Sequence, residues 1–179
     1  MPHTDATELI TDQTRILEQE ATGVTRTFAP ATLAGSLQTE DYARAVIRST
    51  GLFPTPELEE EAVRVRMDRH HTLLTTTATY VYVITRHALD SGLVSDKIMS
   101  AQLDHLDRVA RLPHVDLRVL PVHARVPWTL GYTIRGGFVS LETPGERIEP
   151  PARTTPSFET HFARLVEAST PYTDDAAWT

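Results

Sequence analysis

The chain has 179 residues, 40% of them hydrophobic, with 17 Lys and Arg against 24 Asp and Glu and a formal charge of −7. That length suits one compact core and falls short of two ordinary domains. The negative balance, with Lys97 the only lysine, argues against counterion-driven binding to nucleic acid, and the lack of cysteine excludes disulfides, thiolate nucleophiles and Cys-based metal centres. No apolar run approaches membrane-spanning length, and the N-terminus lacks the basic-then-apolar order of a secretory signal. The expectation is a cytoplasmic protein with no membrane contact and no direct contact with nucleic acid.

Residues 5–22 place Leu9, Ile10, Ile16, Leu17 and Ala21 at mixed three- and four-residue steps, as an amphipathic helix requires. Thr39 or Glu40 opens a short helix bearing Tyr42, Ala43, Val46 and Ile47, which stops near Gly51. Thr55-Pro56 starts a third helix, with Thr as cap, Pro in the first turn and acidic residues behind them, running to about Leu74. The period then changes. Residues 77–84, rich in Thr, Tyr, Val and Ile, predict a strand. Ser95 caps a helix whose inward residues are Ile98, Met99, Leu103, Leu106, Val109 and Ala110.

A second strand is expected over 114–122, and this strand–helix–strand order implies a right-handed parallel crossover. Gly136-Gly137 makes a turn or bulge before a third strand at 138–142, and Arg147-Ile148-Glu149 suits a short edge strand. Thr155-Pro156 repeats the cap-plus-proline start for a last helix with Phe158, Phe162, Leu165 and Val166, and residues 170–179 read as a loose tail. The expected fold is therefore α+β (mixed α/β). A helical N-terminal half (1–75) packs on a small mixed sheet of about four strands with one βαβ crossover (76–169), all within one effector domain.

Gly35-Ser36-Leu37-Gln38-Thr39-Glu40-Asp41-Tyr42-Ala43-Arg44 resembles the G-L-L-Q-T-x-x-Y-A-R signature of an actinobacterial domain of unknown function. In transcriptional regulators that domain normally follows an XRE-type helix-turn-helix. Other elements fit in order: Leu17-Glu18 with Ala21, Arg66 with Arg69, Gln102-Leu103 with Leu106, Leu112-Pro113, Val119-Leu120-Pro121 and Gly137-Phe138. The resemblance implies a sensor or regulatory domain. Because the signature begins after only 34 residues, the DNA-reading half is expected to be absent.

Two segments depart from the family pattern. Where the family has D-E-x-x-L, this chain has Thr85-Arg86-His87-Ala88-Leu89, and after the second strand it has His123-Ala124-Arg125-Val126-Pro127-Trp128. Open α/β sheets place ligands at the carboxyl ends of their strands. If the two strands are parallel neighbours, Arg86, His87, His123, Arg125 and Trp128 lie at one edge. They would suit an anionic, carboxylate-bearing and partly flat ligand.

Each of these residues also has a structural reading, as a solvated surface group or, for Trp128, a loop anchor. His70 and His71 point about 100° apart on a helix, and His105, His114 and His161 have no metal-ligand spacing, so no metal is expected. Gln38 and Tyr42 either support the fold or line a pocket beneath the sheet. Thr39 is read as a cap, Arg44 as a partner of Glu40, and Arg66 and Arg69 as ties to the helix carrying Glu18 and Glu20.

Two functions follow. One is a stand-alone module that binds a small molecule through Arg86, His87, His123, Arg125, Trp128, Gln38 and Tyr42. The other is a cofactor-free isomerase, cyclase or lyase of secondary metabolism. In that case His87 is the acid/base, Arg86 or Arg125 the anion holder, and Tyr80, Tyr82, Tyr132 or Asp90 a second proton carrier. No phosphate loop or nucleophile motif is present and no cofactor is expected. A homodimer and a separate DNA-binding partner are both left open.

Overall fold

The computed structural model describes residues 6–20, 22–127, 130–143 and 146–173. In chain order these form α1 (Ala6–Glu20), β1 (Val24–Ala29), a buried 3-10 turn (Gly35–Leu37), α2 (Glu40–Thr50) and α3 (Pro56–Thr75). Next come β2 (Thr79–Thr85), the short α4 (Arg86–Asp90), α5 (Asp96–Val109) and β3 (Val115–Leu120). The chain continues through β4 (Tyr132–Arg135), β5 (Phe138–Thr143), β6 (Glu146–Ile148), a 3-10 turn (Ala152–Thr154), α6 (Thr155–Ala168) and β7 (Thr170–Pro171).

The strands make one mixed sheet in the order β6-β5-β4-β1-β2-β3-β7. β1, β2 and β3 are parallel neighbours, while β4 joins β1, β5 joins β4, β6 joins β5 and β7 joins β3 antiparallel. The mixed α/β class is as expected, but the sheet is larger than the predicted four strands. It has two parallel crossovers, β1 to β2 through α2 and α3, and β2 to β3 through α4 and α5. The missing strands are β1, β4 and β7. β1 reads Val-Thr-Arg-Thr-Phe-Ala, too polar for the continuous apolar run of a buried parallel strand. β7 lies in the segment expected to be loose, and Tyr172 just after it is buried.

Local chemistry sets the ends of the elements. The Thr55 hydroxyl accepts from the Leu58 amide at 3.4 Å, with Pro56 in the first turn, as read from the sequence. Ser95 and Thr39 occupy their N-cap positions without a side-chain cap bond. Thr155 is inside α6 rather than at its cap, and donates its hydroxyl to the Gly137 carbonyl at 3.0 Å. Gly136 and Gly137 both have positive φ, +53° and +82°, between paired Arg135 and Phe138. That is a two-residue hairpin whose twist suits the strands and which L side chains resist.

The sheet separates two apolar layers. On one side Phe28, Val83, Leu120, Tyr132, Ile134 and Val139 pack with Phe162 and Leu165 of α6. On the other, Tyr80, Tyr82, Ile84, Leu117 and Val119 pack with Tyr42, Leu73, Leu106 and Val109 of α2, α3 and α5. α1 lies further out, with Ile10 against the α2–α3 pair.

The signature segment works as a polar lock between these helices and the sheet. Gln102 of α5 donates to the Leu37 carbonyl and accepts from the Thr39 amide, both at 2.7 Å. Gln38 donates to the Leu33 carbonyl at 2.7 Å and accepts from Arg66 at 3.0 Å. Ser36 bonds the Tyr82 hydroxyl at 2.8 Å. A Cβ on Gly35 would stand 3.3 Å from an Arg69 nitrogen, so the glycine lets the two guanidinium groups close over the turn. Arg69 reaches Gln13 of α1, so the predicted tie to α1 exists through a different residue. The side chains of Glu18 and Glu20 lie outside those described.

Replacing Gln102 by Leu keeps the volume and leaves one buried amide and one buried carbonyl unpaired. We expect a loss of about 2–5 kcal/mol in urea unfolding, because each unsatisfied group costs roughly 1–3 kcal/mol. A loss below 1 kcal/mol would show that the lock is not a stabilising contact.

Candidate functional site

Parallel pairing of β2 and β3 aligns Thr85 with Leu120, so the segments starting at Arg86 and at residue 121 leave the same sheet edge. The condition for the predicted site is met by the backbone. Among its side chains, Arg86 is turned onto Asp90 at 2.8 Å, while His87, His123 and Arg125 are exposed. Trp128 lies outside the described residues. The Thr85 hydroxyl accepts from the Ala88 amide and donates to the Pro30 carbonyl, so the departure from the family pattern is built as a capped helical turn.

His161 fastens the segment before Trp128. One ring nitrogen lies 2.7 Å from the Pro127 carbonyl and the other 2.8 Å from the Tyr132 hydroxyl. A carbonyl only accepts, so Nε2 donates to it, and Nδ1 shares a hydrogen bond with the Tyr132 hydroxyl. Burial pushes the Tyr132 phenol above its ordinary range. Tyr132 therefore serves His161 rather than His87, and Tyr80 and Tyr82 are closed into the opposite layer, stacked at 5.9 Å. None of the three is placed to share a proton with His87 at the sheet edge.

Gln38 and Tyr42 are buried, 2% and 0% exposed; Gln38 belongs to the lock, while the Tyr42 ring packs in the apolar layer with its hydroxyl buried and without a partner. Burial raises the Tyr42 phenol, with the Leu33 backbone and the Arg66 charge pulling the other way. His70 and His105 meet edge-to-face at 4.6 Å beside them. The His70 Nδ1 donates to the Ser36 carbonyl at 2.9 Å, whereas the His105 Nε2 is buried without a partner. Burial first, then the charges of His70 and Arg108, lower His105 to about 4. Among the described residues no group of three His, Cys, Asp or Glu could hold a metal ion.

Among the described residues a further cavity lies at the start of β1. Strand register generates its floor. Phe138, Arg135 and Thr25 form one cross-strand row over β5, β4 and β1, and Ser140, Thr133 and Thr27 form the next. Paired residues share a face and alternate residues repeat it, so all six project to one side, opposite Ile134 and Val139. The same rows continue into Tyr80 and Tyr82 on β2, then Val115 and Leu117 on β3. One face is thus apolar and helix-covered at β2–β3 and polar at β1–β4–β5. Over the polar part lies a cavity of about 550 Å³, closed by Arg15 of α1, Thr22, Gly23, Val24 and Glu149.

Hydroxyl and guanidinium side chains make up much of that floor. Thr27 and Thr133 bond each other at 3.1 Å, which uses one of their two hydroxyl protons. Ser140 is buried at 6% exposure and its hydroxyl lines the cavity. Arg135 rests its Nε on the Thr25 hydroxyl at 3.2 Å, and Arg15 supplies a second guanidinium. Glu149 is the single carboxylate among the described lining residues.

Family comparison agrees with the signature. A model for a domain of unknown function, DUF5753, matches residues 12–174. The chain belongs to the DUF5753 family. No curated protein matches it. In this DUF5753 chain the sequence reading missed Arg15, Thr25, Thr27, Thr133, Arg135, Phe138 and Ser140. The available signal was Thr-x-Thr and Thr-x-Arg alternation flanking a Gly-Gly hairpin, which becomes a polar face only once β1 and β4 are paired. No helix among the described residues is long and apolar enough to cross a membrane.

The buried imidazoles set a pH dependence. Folded His105 stays neutral down to about pH 4, while the unfolded chain binds the proton near 6.5. The unfolded state is then the better proton acceptor, so stability falls as pH drops from about 6.5 to about 4, by up to about 3 kcal/mol. Urea midpoints across that range should decline in the native chain and decline less in His105→Gln. Parallel slopes for the two would discount His105 as the cause.

Proposed function

We propose that this chain is a small-molecule-binding domain whose ligand carries an anionic group, a carboxylate above all, and that the ligand occupies the cavity at the start of β1. The observation that supports the reading is a cavity of about 550 Å³ whose described walls gather two arginines and, on the strand floor, two hydroxyl residues. Arg15, Arg135, Thr133 and Ser140 line it together with Glu149. Such a surface is complementary to acceptor oxygens, and Arg supplies the strongest and most directional of these contacts. The volume falls in the range of small-ligand sites.

The binder reading is favoured over the cofactor-free enzyme by the same residues. The described walls contain no imidazole or phenol, so a positioned acid/base would have to come from Glu149. His87 follows the other end of β2, roughly 15–20 Å away along the strands. As in regulators of this kind, DNA reading would belong to another segment or chain, since a formal charge of −7 opposes phosphate contact here.

Mass spectrometry of co-purifying small molecules, followed by calorimetric titration with organic acids, tests the reading. Arg135→Ala should weaken binding at least tenfold, while Arg86→Ala with His87→Ala should leave it unchanged. The reverse pattern would move the site to the carboxyl edge of β2 and β3. No acid binding at millimolar concentration would remove the proposal.

A further inference from the structure

We infer that the ligand of this cavity carries, besides its acid, a neutral oxygen that hydrogen-bonds Ser140, so that Ser140 selects hydroxy and oxo acids over plain ones. The inference rests on the binding reading above and adds the ligand class and the residue that sets it. Register puts three hydroxyls in one cross-strand row, Thr27 on β1, Thr133 on β4 and Ser140 on β5. Thr27 and Thr133 bond each other at 3.1 Å. Ser140, at the end of the row, is 6% exposed, lines the cavity and makes no side-chain hydrogen bond among the described residues.

That combination constrains what can settle on the floor. Solvent serves the Ser140 hydroxyl while the cavity is open, and a ligand that displaces it must offer a hydrogen bond in return. An apolar group placed there strands the hydroxyl and forfeits about tenfold in affinity. A charged group fares worse, because one hydroxyl does not replace the hydration of an ion. A neutral hydroxyl or carbonyl meets the requirement, since Ser140 both donates and accepts. Thr133 lies directly across the strand pair, with Cβ atoms roughly 5 Å apart, so one ligand oxygen at this step is within reach of both residues.

Ser140 is then a specificity-determining residue and not a support of the fold. Its hydroxyl holds no other element, so Ser140→Ala should keep the urea midpoint of the native chain. The binding test titrates native and variant chains with benzoate, 3-hydroxybenzoate, 4-hydroxybenzoate, hexanoate, 5-oxohexanoate and uncharged phenol, with the Ser140 backbone amide shift as the site readout. In the native chain at least one oxygenated acid should bind about tenfold tighter than its parent. Ser140→Ala should bring each pair within about twofold, chiefly by weakening the oxygenated member, and Ser140→Thr, which keeps the hydroxyl, should restore the gap. A lowered urea midpoint in Ser140→Ala would assign the hydroxyl to the fold and overturn its selecting role. Parent and oxygenated acids of equal affinity, with the Ser140 amide still shifting, would overturn the inference and keep the acid site. Phenol binding as tightly as the acids would overturn the acid reading and keep the Ser140 contact. No shift at Ser140 with any probe would overturn both.

Discussion

The strand β1 must satisfy its backbone hydrogen bonds on both edges, and the rest of the architecture follows from how it does so. It pairs parallel with β2 on one side and antiparallel with β4 on the other. A strand in the middle of a sheet has no water to fall back on, so both partners are obligatory. The parallel pairing requires a long crossover, which α2 and α3 provide, and the antiparallel pairing brings in the β4–β5 hairpin and β6 at its edge. Without β1 the two halves of the sheet would have no common backbone.

The side chains of β1 then divide the molecule. Phe28 points into the layer of α6, meeting Tyr132 with ring centroids 5.9 Å apart. Thr25 and Thr27 point the other way and mark a border. Beyond them on β2 and β3 the face is tyrosine and aliphatic and lies under helices. On β4 and β5 it is Thr, Ser and Arg beneath a cavity. A fully apolar face would have to be buried by another helix to be stable, whereas hydroxyls and guanidinium groups can line a hollow that water or a ligand fills. Polarity on this half of the sheet is what allows a cavity to exist there.

The signature segment serves this arrangement indirectly. Its glycine, serine and glutamine, with Arg66 and Gln102 from α3 and α5, hold the 3-10 turn against Tyr82 and α5, which sets how the helical layer sits on β2 and β3. Buried polar networks of this kind specify one packing because each member is costly to leave unpaired. The segment that best labels the family is thus a structural lock, and the proposed ligand site lies away from it.

Much of the fold was legible in local pattern. Threonine and proline at 55 and 56, β-branched and aromatic residues at 79–84, and Gly136-Gly137 before Phe138 define α3, β2 and the β4–β5 turn through dihedral preferences that act within a few residues. The family, too, was readable from ten residues and their order. What local pattern lacked was partnership. Val24–Ala29 carries three polar side chains in six and becomes a strand only because two other strands complete its hydrogen bonds; Thr155, read as a cap, was claimed instead by the Gly137 carbonyl. The sequence by itself determined the class, the longer helices, the family and the acidic, cysteine-free chemistry available. Only the tertiary structure decided which polar residues share a face, because register joins residues more than a hundred positions apart, as Thr25 joins Arg135.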